Sequence, residues 1–247
     1  MNRLIPILLL HENELMKSVK FKDWRYIGDA LNALKILNEK AVDEIVVLDV
    51  DASRLGKEPN YKLLAALAGE CFAPIGYGGG VTSADVANKI VSCGIDKVII
   101  NSAFIQEPSL ASDIASEIGS SSTVVSIDVV KRESAFRAFS YKEGVELNRA
   151  PDEYIRIAEE AGAGEILIQN VDRDGTRLGP DSELIEFVIS SCSLPIVYAG
   201  GVSSWEGAVE LWGQGIGGVG AGSWFLLREP HNAVLVSYPS GQPRLGE

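Results

Sequence analysis

The feature that most constrains this chain is an internal repeat, because residues 44–104 recur at residues 165–225 with a constant offset of 121 positions and no gap. Identical pairs run through the whole repeat and include Glu44/Glu165, Ile45/Ile166, Val50/Val171, Asp51/Asp172, Pro59/Pro180, Tyr77/Tyr198, Gly79/Gly200, Gly80/Gly201, Gly94/Gly215 and Phe104/Phe225. Solenoid repeats have periods of about 20 to 50 residues. A period this long instead indicates one large domain built from two similar halves.

Each copy alternates short apolar, β-branched runs with helical stretches. In the first copy the strands are predicted at residues 45–50, 74–77 and 98–100, with helices starting near Tyr61 and Ser83. This order is typical of a βαβαβ unit. Strands that are covered by helices are apolar on both faces, and two further runs have this character, residues 4–10 and 123–128. The predicted total is eight strands.

Eight parallel strands in 247 residues match a single (β/α)8 TIM barrel spanning residues 1–247, with an internal two-fold repeat of half-barrels. The active face of such a barrel lies at the carboxyl ends of its strands. A doubly wound open sheet is the alternative reading of the same pattern.

Charge and cysteine usage narrow the class of protein. The net charge of −12 and the isoelectric point near 4.7 disfavour binding to nucleic acid or to anionic membranes. Cys71, Cys93 and Cys192 show no CxxC spacing, and only His11 and His231 could assist a metal site. We therefore expect a cytoplasmic protein with reduced thiols, no metal ion and no cofactor.

Glycines at equivalent strand ends of the two copies indicate anion binding. Residues 78–80 and 199–201 are Gly-Gly-Gly and Ala-Gly-Gly, and the next strand of each copy ends at residues 101–102 and 222–223, each with a serine. Glycine lets backbone N–H groups approach a ligand closely, and helix N-termini favour anions. Relief of crowding is the alternative role for these glycines. The duplicated pattern predicts an elongated ligand with a phosphate at each end.

The chain resembles the cyclase subunit of imidazole glycerol phosphate synthase. The resemblance runs from Arg3 to about Phe225, and its motifs are residues 78–80 (GGG), 101–102 (NS), 126–128 (SID), 162–167 (GAGEIL) and 171–176 (VDRDGT). It implies a barrel that takes ammonia from a glutaminase at its bottom face. The family then adds the ammonia to a bis-phosphorylated ribonucleotide for histidine synthesis.

The resemblance also implies individual site residues. Phosphate contacts would fall on two sets, Gly80, Asn101 and Ser102 in one half and Asp174, Gly175, Gly201, Gly222 and Ser223 in the other. The family's catalysis uses two aspartates, at the ends of strands one and five. Asp128 matches the strand-five residue, and Lys17 matches a lysine in the loop beyond strand one. Asp49 faces inward by alternation and is a further pocket candidate.

The position of the strand-one aspartate is occupied by Leu9 in this chain. Leucine neither donates nor accepts a proton, and loss of one acid/base group typically costs about 10²- to 10⁴-fold in rate. A working cyclase would need a replacement group such as His11 or Glu12. For Asp128 the alternative role is a strand-end carboxylate that binds loop amides.

Four charged residues stand immediately before predicted strands, at the amino-terminal mouth of the barrel: Arg3, Glu44, Lys97 and Glu165. Any one of them alone would be an ordinary solvated residue. Together their charges balance, and they match the salt-bridged ring that gates ammonia passage in the cyclase family. The resemblance thus implies an ammonia gate.

The chain combines a retained gate with an altered acid/base pair. In this combination it resembles the acetamidino-modification branch of the family. Residues 19–22 (VKFK), 26–29 (YIGD) and 230–239 (PHNAVLVSYP) are further marks of this branch. Its members pass ammonia to a separate ATP-dependent amidotransferase in surface-polysaccharide sugar synthesis. The alternatives are a histidine-pathway cyclase and a sugar-phosphate isomerase on the same duplicated barrel.

Overall fold

The computed structural model describes residues 2–239, and its strands and helices follow the predicted alternation. The strands are β1 (Arg3–His11), β2 (Glu14–Val19), β3 (Lys22–Gly28), β4 (Ile45–Asp49), β5 (Ile75–Gly78), β6 (Lys97–Ile100), β7 (Thr123–Arg132), β8 (Ala135–Ser140), β9 (Val145–Glu146), β10 (Glu165–Asn170), β11 (Ile196–Ala199), β12 (Gly218–Ala221), β13 (Leu227–Arg228) and β14 (Ala233–Val234). The helices are α1 (Ala30–Glu39), α2 (Val50–Leu55), α3 (Tyr61–Glu70), α4 (Ala84–Ser92), α5 (Ser102–Gln106), α6 (Ser109–Ile118), α7 (Pro151–Glu160), α8 (Ser182–Ser191), α9 (Trp205–Gly213) and α10 (Ser223–Leu226), with a 3₁₀ turn at Ser120–Ser122.

Eight of these strands form a closed parallel barrel in the order β1, β4, β5, β6, β7, β10, β11, β12, with β12 pairing back onto β1. The predicted (β/α)8 TIM barrel is confirmed, and the open doubly wound alternative is wrong. The repeat appears in the strand register, since Ile45 pairs with Ile75 and Ile166 pairs with Ile196. The two pairs differ by the same offset of 121 positions that the sequence shows.

Matching N-caps start the helices of the two halves. Ser83 caps α4 and Ser204 caps α9, each hydroxyl accepting a bond from the backbone three residues later. Asn60 and Asp181 do the same for α3 and α8. Such caps typically contribute about 1 kcal/mol each. The sequence repeat therefore fixes the helix starts as well as the strands.

Strands one and five of the barrel each continue into an antiparallel hairpin, which the sequence did not predict. β1 pairs with β2, which pairs with β3, while β7 pairs with β8, which pairs with β9. Both hairpins lie beyond the carboxyl ends of the barrel strands. They therefore form walls around the predicted active face.

Two apolar cores stabilise the barrel. One fills the space between strands and helices, and the other fills the barrel interior with Ile5, Ile7, Leu9, Val46, Ile99, Val124, Leu167, Val197 and Ala199. Full burial of an aliphatic side chain of this size contributes roughly 1.5 to 3 kcal/mol. The interior is thus a packed core beneath the active face.

After α10 the chain forms the short antiparallel hairpin β13–β14 and then continues without a further helix or strand to residue 239. The ring of Tyr238 stacks on Phe225 with 5.5 Å between ring centroids, and its hydroxyl lies 3.0 Å from the carbonyl oxygen of Leu4. This contact fixes the tail at the amino-terminal end of β1. Within residues 2–239, no helix has the length and apolar character needed to span a membrane.

Candidate functional site

A cavity of about 240 Å³ opens at the carboxyl ends of the barrel strands. Twelve residues singled out in the sequence line it: Leu9, Lys17, Asp49, Gly80, Asn101, Ser102, Asp128, Asp174, Gly175, Gly201, Gly222 and Ser223. The four predicted gate residues lie instead at the opposite, amino-terminal mouth. The fold therefore separates the predicted site into a cavity and a basal ring.

Strand register places Leu9 and Asp128 at equivalent positions of the two half-barrels. Leu9 pairs with Leu48 on the neighbouring strand, and Asp128 pairs with Gln169. Leu48 and Gln169 are themselves separated by the repeat offset of 121. The apolar side chain of Leu9 therefore occupies the position that the inward-facing Asp128 carboxylate occupies in the other half-barrel.

Asp128 is held in an unusual environment for a carboxylate. Its residue is 3% exposed, and its Oδ1 atom has no hydrogen-bond partner among the described residues. Burial raises the pKa of Asp128 to about 7, the negative charge of Asp174 acts in the same direction, and the amide of Asn101 opposes them. A carboxyl group with this pKa suits proton transfer near neutral pH. Backbone amides of a loop do not occupy Oδ1, which disfavours the purely structural role.

The wall around Leu9 is apolar and carries no replacement acid. Trp24, from β3, borders the cavity next to Leu9 and stacks on His11 with 5.5 Å between ring centroids. The Nδ1 atom of His11 lies 2.9 Å from the Asp51 carboxylate, which also accepts a bond from the Glu12 backbone. Neither His11 nor Glu12 is among the residues that line the cavity. Strand one therefore supplies no second proton-transfer group in this structure.

Asp49 borders the cavity, but its carboxylate forms hydrogen bonds within its own segment of the chain. Its carboxylate caps α2 by accepting bonds from the backbone N–H groups of Asp51 and Ala52, at 3.1 and 3.0 Å. Burial raises the pKa of Asp49, and these two bonds oppose the shift. Capping gives this residue a structural role that does not depend on a ligand.

The first predicted phosphate site is a tight backbone turn. Gly80 has φ of +66°, and a Cβ atom there would lie 2.6 Å from the Lys57 carbonyl oxygen, so only glycine fits. Its N–H donates to the Ser53 hydroxyl at 3.2 Å. Asn101 precedes the short helix α5, which begins at Ser102. The structure thus brings all three predicted residues to one corner of the cavity.

The second predicted phosphate site repeats this geometry on the other side. Gly201 has φ of +82°, and a Cβ atom there would lie 2.3 Å from the Gly179 carbonyl oxygen. Ser223 begins α10 directly after Gly222. The guanidinium of Arg177 donates to the Ser223 carbonyl oxygen at 3.1 Å and borders the cavity. Sequence reasoning missed Arg177, although it directly follows the VDRDGT motif.

The carboxylate of Asp174 contacts residues of the hairpin that follows strand one. Its carboxylate lies 2.9 Å from Lys17 Nζ and accepts a bond from the Ser18 hydroxyl at 3.0 Å. Gly175 approaches the same segment, since a Cβ atom there would lie 2.5 Å from the Ser18 carbonyl oxygen. A carboxylate repels a phosphate. The observed role of Asp174 is to position Lys17, and its direct contact with a phosphate stays a prediction.

The four charged residues at the amino-terminal mouth form a closed ring of ion pairs. The Arg3 guanidinium contacts both Glu44 and Glu165, and Lys97 Nζ lies 3.0 Å from Glu44 and 2.8 Å from Glu165. Burial alone would raise the pKa of Glu165, but the hydrogen bond and charge of Arg3, with those of Lys97, hold it below its usual value. The structure brings together all four residues that the sequence singled out.

An apolar layer separates this ring from the cavity floor. It consists of interior residues that do not border the cavity: Ile5, Val46, Val124, Leu167 and Val197. Charged groups cross such a layer only at high cost, whereas a small neutral molecule pays far less. The barrel axis therefore runs from a charged ring through an apolar layer to a polar cavity.

Several further cavity residues were not predicted. Phe21 and Tyr141, from the two hairpins, meet edge to face with 5.4 Å between ring centroids. Ser126 and Gln169 point inward from β7 and β10 and border the cavity. Their signal in the sequence is alternation alone, since both lie two residues from other inward-facing positions. Residues 2–239 contain no group of three or more His, Cys, Asp or Glu residues placed to hold a metal ion.

A closed parallel barrel with duplicated glycine turns and serine-led helices around one cavity defines the class of two-fold repeated (β/α)8 barrels. Within that class, the chain belongs to the histidine biosynthesis protein family, whose model matches residues 3–230, and to its branch of HisF-like imidazole glycerol phosphate synthase subunit homologues. It is 45% identical over 239 residues to a Pseudomonas aeruginosa protein named "Putative imidazole glycerol phosphate synthase subunit hisF2", covering 96% of this chain and 95% of the relative.

Two other relatives extend the similarity. A Leptospira borgpetersenii protein named "Putative imidazole glycerol phosphate synthase subunit HisF" is 44% identical over 97% of this chain and 95% of its own length. The imidazole glycerol phosphate synthase subunit HisF of Chlorobium limicola is 34% identical over 83% of this chain and 81% of its own length. Similarity thus spans nearly the whole chain.

Proposed function

We propose that this chain is the ammonia-receiving barrel of a glutamine-dependent system that supplies nitrogen for an acetamidino sugar of a surface polysaccharide. A glutaminase docks at the amino-terminal face, and ammonia passes along the barrel axis to the cavity. The nitrogen reaches the sugar directly or through a separate ATP-dependent amidotransferase. The system works in the cytoplasm.

The observation that carries this proposal is the position of Leu9. It pairs with Leu48 and so occupies, in its own half-barrel, the place that Asp128 occupies in the other. Cyclisation with a general acid and a general base needs two groups, and of the two equivalent strand-end positions only that of Asp128 carries a carboxyl group. The loss corresponds to about 10²- to 10⁴-fold in rate. A barrel that keeps its basal ring and cavity but lacks half of the acid/base pair fits ammonia transfer better than ring closure.

The basal ring and the layer above it support passage of ammonia in its neutral form. The ring offers hydrogen-bonding groups to a molecule that leaves a docked glutaminase, while the apolar layer disfavours ammonium and other ions. Four residues in mutual ion pairs form a gate that opens when one pair breaks. Lys97, at 19% side-chain exposure, is the most accessible of the four together with Arg3 at 18%.

The cavity also fits a phosphorylated small-molecule ligand. The turns at Gly80 and Gly201 and the helix starts at Ser102 and Ser223 offer donors on opposite sides. Lys17 adds a buried ammonium group that Asp174 holds in place. Such a ligand would occupy the cavity while the ammonia enters from below.

A docking experiment tests the glutaminase interface. A glutaminase subunit of the imidazole glycerol phosphate synthase type is mixed with the barrel protein and analysed by size-exclusion chromatography. We expect a complex with the wild type and none with Lys97→Glu, because the substitution reverses a charge in the ring. Lys62→Glu makes the same charge change on the exposed surface of α3 and should leave the complex intact. Circular dichroism establishes that both variants are folded.

A gene deletion tests the pathway. We expect the strain to lose the acetamidino group from its surface polysaccharide while growing without added histidine. Histidine auxotrophy would overturn the proposal and indicate a cyclase. Absence of a complex for the wild type in the docking experiment would overturn the glutaminase interface.

A further inference from the structure

The cavity has two facing walls of opposite polarity. β1 and β4 lie directly across the closed barrel from β7 and β10, because each pair is half-way round the ring of eight strands from the other. Three inward-facing positions on the first wall are apolar where the equivalent positions on the second are polar. They are Leu9 against Asp128, Leu48 against Gln169 and Ile7 against Ser126, and all six residues border the cavity. The fold therefore accepts polar groups at these positions, and one half-barrel lacks them.

Four side chains form the apolar wall: Leu9, Trp24, Leu48 and Val50. Leu9 is buried, while the other three pack on the interior core and remain half-buried beside the cavity. Leu48 also contacts the first glycine turn, since a Cβ atom at Gly78 would lie 3.0 Å from its Cδ2 atom. The apolar wall and the first predicted phosphate site are therefore neighbours.

The indole ring of Trp24 is held by residues that lie outside the cavity. It stacks on the His11 ring with 24° between the ring planes. The Nδ1 atom of His11 in turn lies 2.9 Å from the carboxylate of Asp51, whose side chain is 8% exposed. A side chain that is fixed in this way has little conformational freedom left to lose when a ligand binds. The Trp24 side of the wall is thus in place before a ligand arrives.

An apolar wall opposite a polar one selects a ligand with both kinds of group. An apolar group gains free energy when it leaves water for such a wall. A hydroxyl group in the same place loses its hydrogen bonds to water and finds no replacement. A bis-phosphorylated ribonucleotide carries hydroxyl groups on its ribose and gains nothing from the wall. The wall therefore favours a different class of ligand.

We propose that Leu9, Trp24, Leu48 and Val50 form an apolar subsite, and that the cavity takes a phosphorylated ligand that carries a methyl or short alkyl group. The acetamido and acetamidino groups of a sugar each carry such a methyl group. The inference deepens the proposed function, on which it rests only for the choice of an acetamido sugar as the ligand.

A matched pair of phosphate esters tests the subsite on the isolated, full-length chain. Propyl phosphate and glycerol 1-phosphate have the same carbon chain, but the second carries two hydroxyl groups. We expect calorimetry to show about tenfold tighter binding of propyl phosphate, since each buried methylene group contributes up to about fourfold. Inorganic phosphate measures the anion sites alone. Tighter binding of glycerol 1-phosphate would overturn the subsite and indicate a cavity suited to imidazole glycerol phosphate.

Methyl-group NMR locates the alkyl chain in the complex. The leucine and valine methyl groups are labelled with carbon-13, and we expect nuclear Overhauser effects between the propyl chain and the methyl groups of Leu48 and Val50. The neutral probe 1-propanol should give the same contacts at higher concentration, because the wall does not need the phosphate. Absence of these contacts with both probes would overturn the subsite, even where inorganic phosphate binds.

A variant copied from the other half-barrel assigns the preference to the wall. Leu48→Gln introduces the residue that Gln169 provides at the equivalent position. It should reduce the preference for propyl phosphate about fivefold and leave the binding of inorganic phosphate unchanged. Leu235→Gln is the matched control, because Leu235 is 51% exposed and does not border the cavity. A preference that Leu48→Gln leaves intact would overturn the subsite.

Two sugar phosphates test the assignment to an acetamido group. N-acetylglucosamine 1-phosphate and glucose 1-phosphate compete with propyl phosphate in the same measurement. We expect the N-acetylated sugar to displace the probe at the lower concentration, and equal displacement would overturn this assignment. No glutaminase or amidotransferase takes part in these measurements. Failure of glutaminase docking and failure of the apolar subsite are therefore separate outcomes.

Discussion

The two half-barrels share their backbone geometry but differ in the chemistry of their cavity walls. Gly80 and Gly201 occupy equivalent turns with φ of +66° and +82°, each against a carbonyl oxygen. Asp128, in contrast, faces an equivalent Leu9 across the barrel. The groups that would hold a symmetric ligand are duplicated, and the group that would move a proton is present once.

The basal ring shows the same difference between the two half-barrels as the cavity does. Glu44 and Glu165 are equivalent residues of the two copies, and both are nearly buried. The cation Lys97 has Gly218 as its repeat mate, so one half supplies a charge that the other lacks. The glycine turns and the two glutamates follow the duplication, whereas Lys97 and Asp128 have no charged mate in the other half. Departures from the internal symmetry therefore indicate where function was added or removed.

The largest expected effect comes from restoring the missing carboxylate. With the cyclase substrate and ammonium, we expect the wild type to turn over orders of magnitude more slowly than an ordinary cyclase. Leu9→Asp should recover part of the deficit of about 10²- to 10⁴-fold, because it places a second carboxyl group opposite Asp128. Steady-state formation of imidazole glycerol phosphate measures both rates.

Leu9→Asn is the matched control, since it introduces a polar group of the same size without an acid. It should recover nothing. Wild-type turnover comparable to that of an ordinary cyclase would show that Leu9 does not remove a needed proton-transfer group. It would indicate a cyclase of histidine synthesis.

A smaller effect is expected in the pH dependence of stability. Burial raises the pKa of Asp128 to about 7 in the folded protein, from an ordinary value of 3.8. Between these values the unfolded chain binds fewer protons than the folded protein, so the free energy of unfolding falls as pH rises from 4 to 7. Asp128→Asn removes this loss and should stabilise the protein by roughly 2 to 4 kcal/mol at pH 8.

Urea unfolding at a series of pH values measures the difference. The gain from Asp128→Asn should shrink towards pH 4, where the wild-type carboxyl group is neutral in the folded protein. Leu9→Asn places the same amide at the equivalent position of the other half and should destabilise at every pH. A gain from Asp128→Asn that does not change with pH would show that the Asp128 pKa is not raised.

The barrel could be predicted because the repeat fixes its strands and turns, whereas Leu9, Lys17 and Asp128 lie outside the two copies and were singled out by the resemblance to the cyclase family. A constant offset carries strands, caps and glycine turns from one copy to the other, so residues such as Gly80 and Gly201 support each other. Residues outside the two copies had no such support. The hairpins β2–β3 and β8–β9 follow strands one and five, and their antiparallel pairing is set by tertiary contacts that short-range patterns do not encode.

Side-chain partners were the other part that the sequence could not provide. Asp174 was expected at a phosphate, but the structure pairs it with Lys17, which lies 157 residues away in the chain. Ser126 and Arg177 border the cavity because of strand direction and a loop with φ of +59° at Arg177. Such long-range contacts depend on the closed barrel and have no local signal. The resemblance to a family identified the positions but not their contacts.

The smallest expected effect tests whether the two anion sites are as alike as their backbones. We expect sulfate or phosphate at Gly80/Ser102 and at Gly201/Ser223, because each site combines backbone N–H groups with a hydroxyl at a helix start. Ser102→Ala and Ser223→Ala should each weaken phosphate binding about fivefold, the effect of one hydrogen bond, while Ser116→Ala on the exposed face of α6 should not. Calorimetry measures the affinities, and crystals soaked in sulfate locate the anions. Anions found only elsewhere would contradict both sites. A loss confined to Ser223→Ala would instead show that the two halves differ in binding as they do in chemistry, with the Ser53 hydroxyl already occupying the N–H group of Gly80.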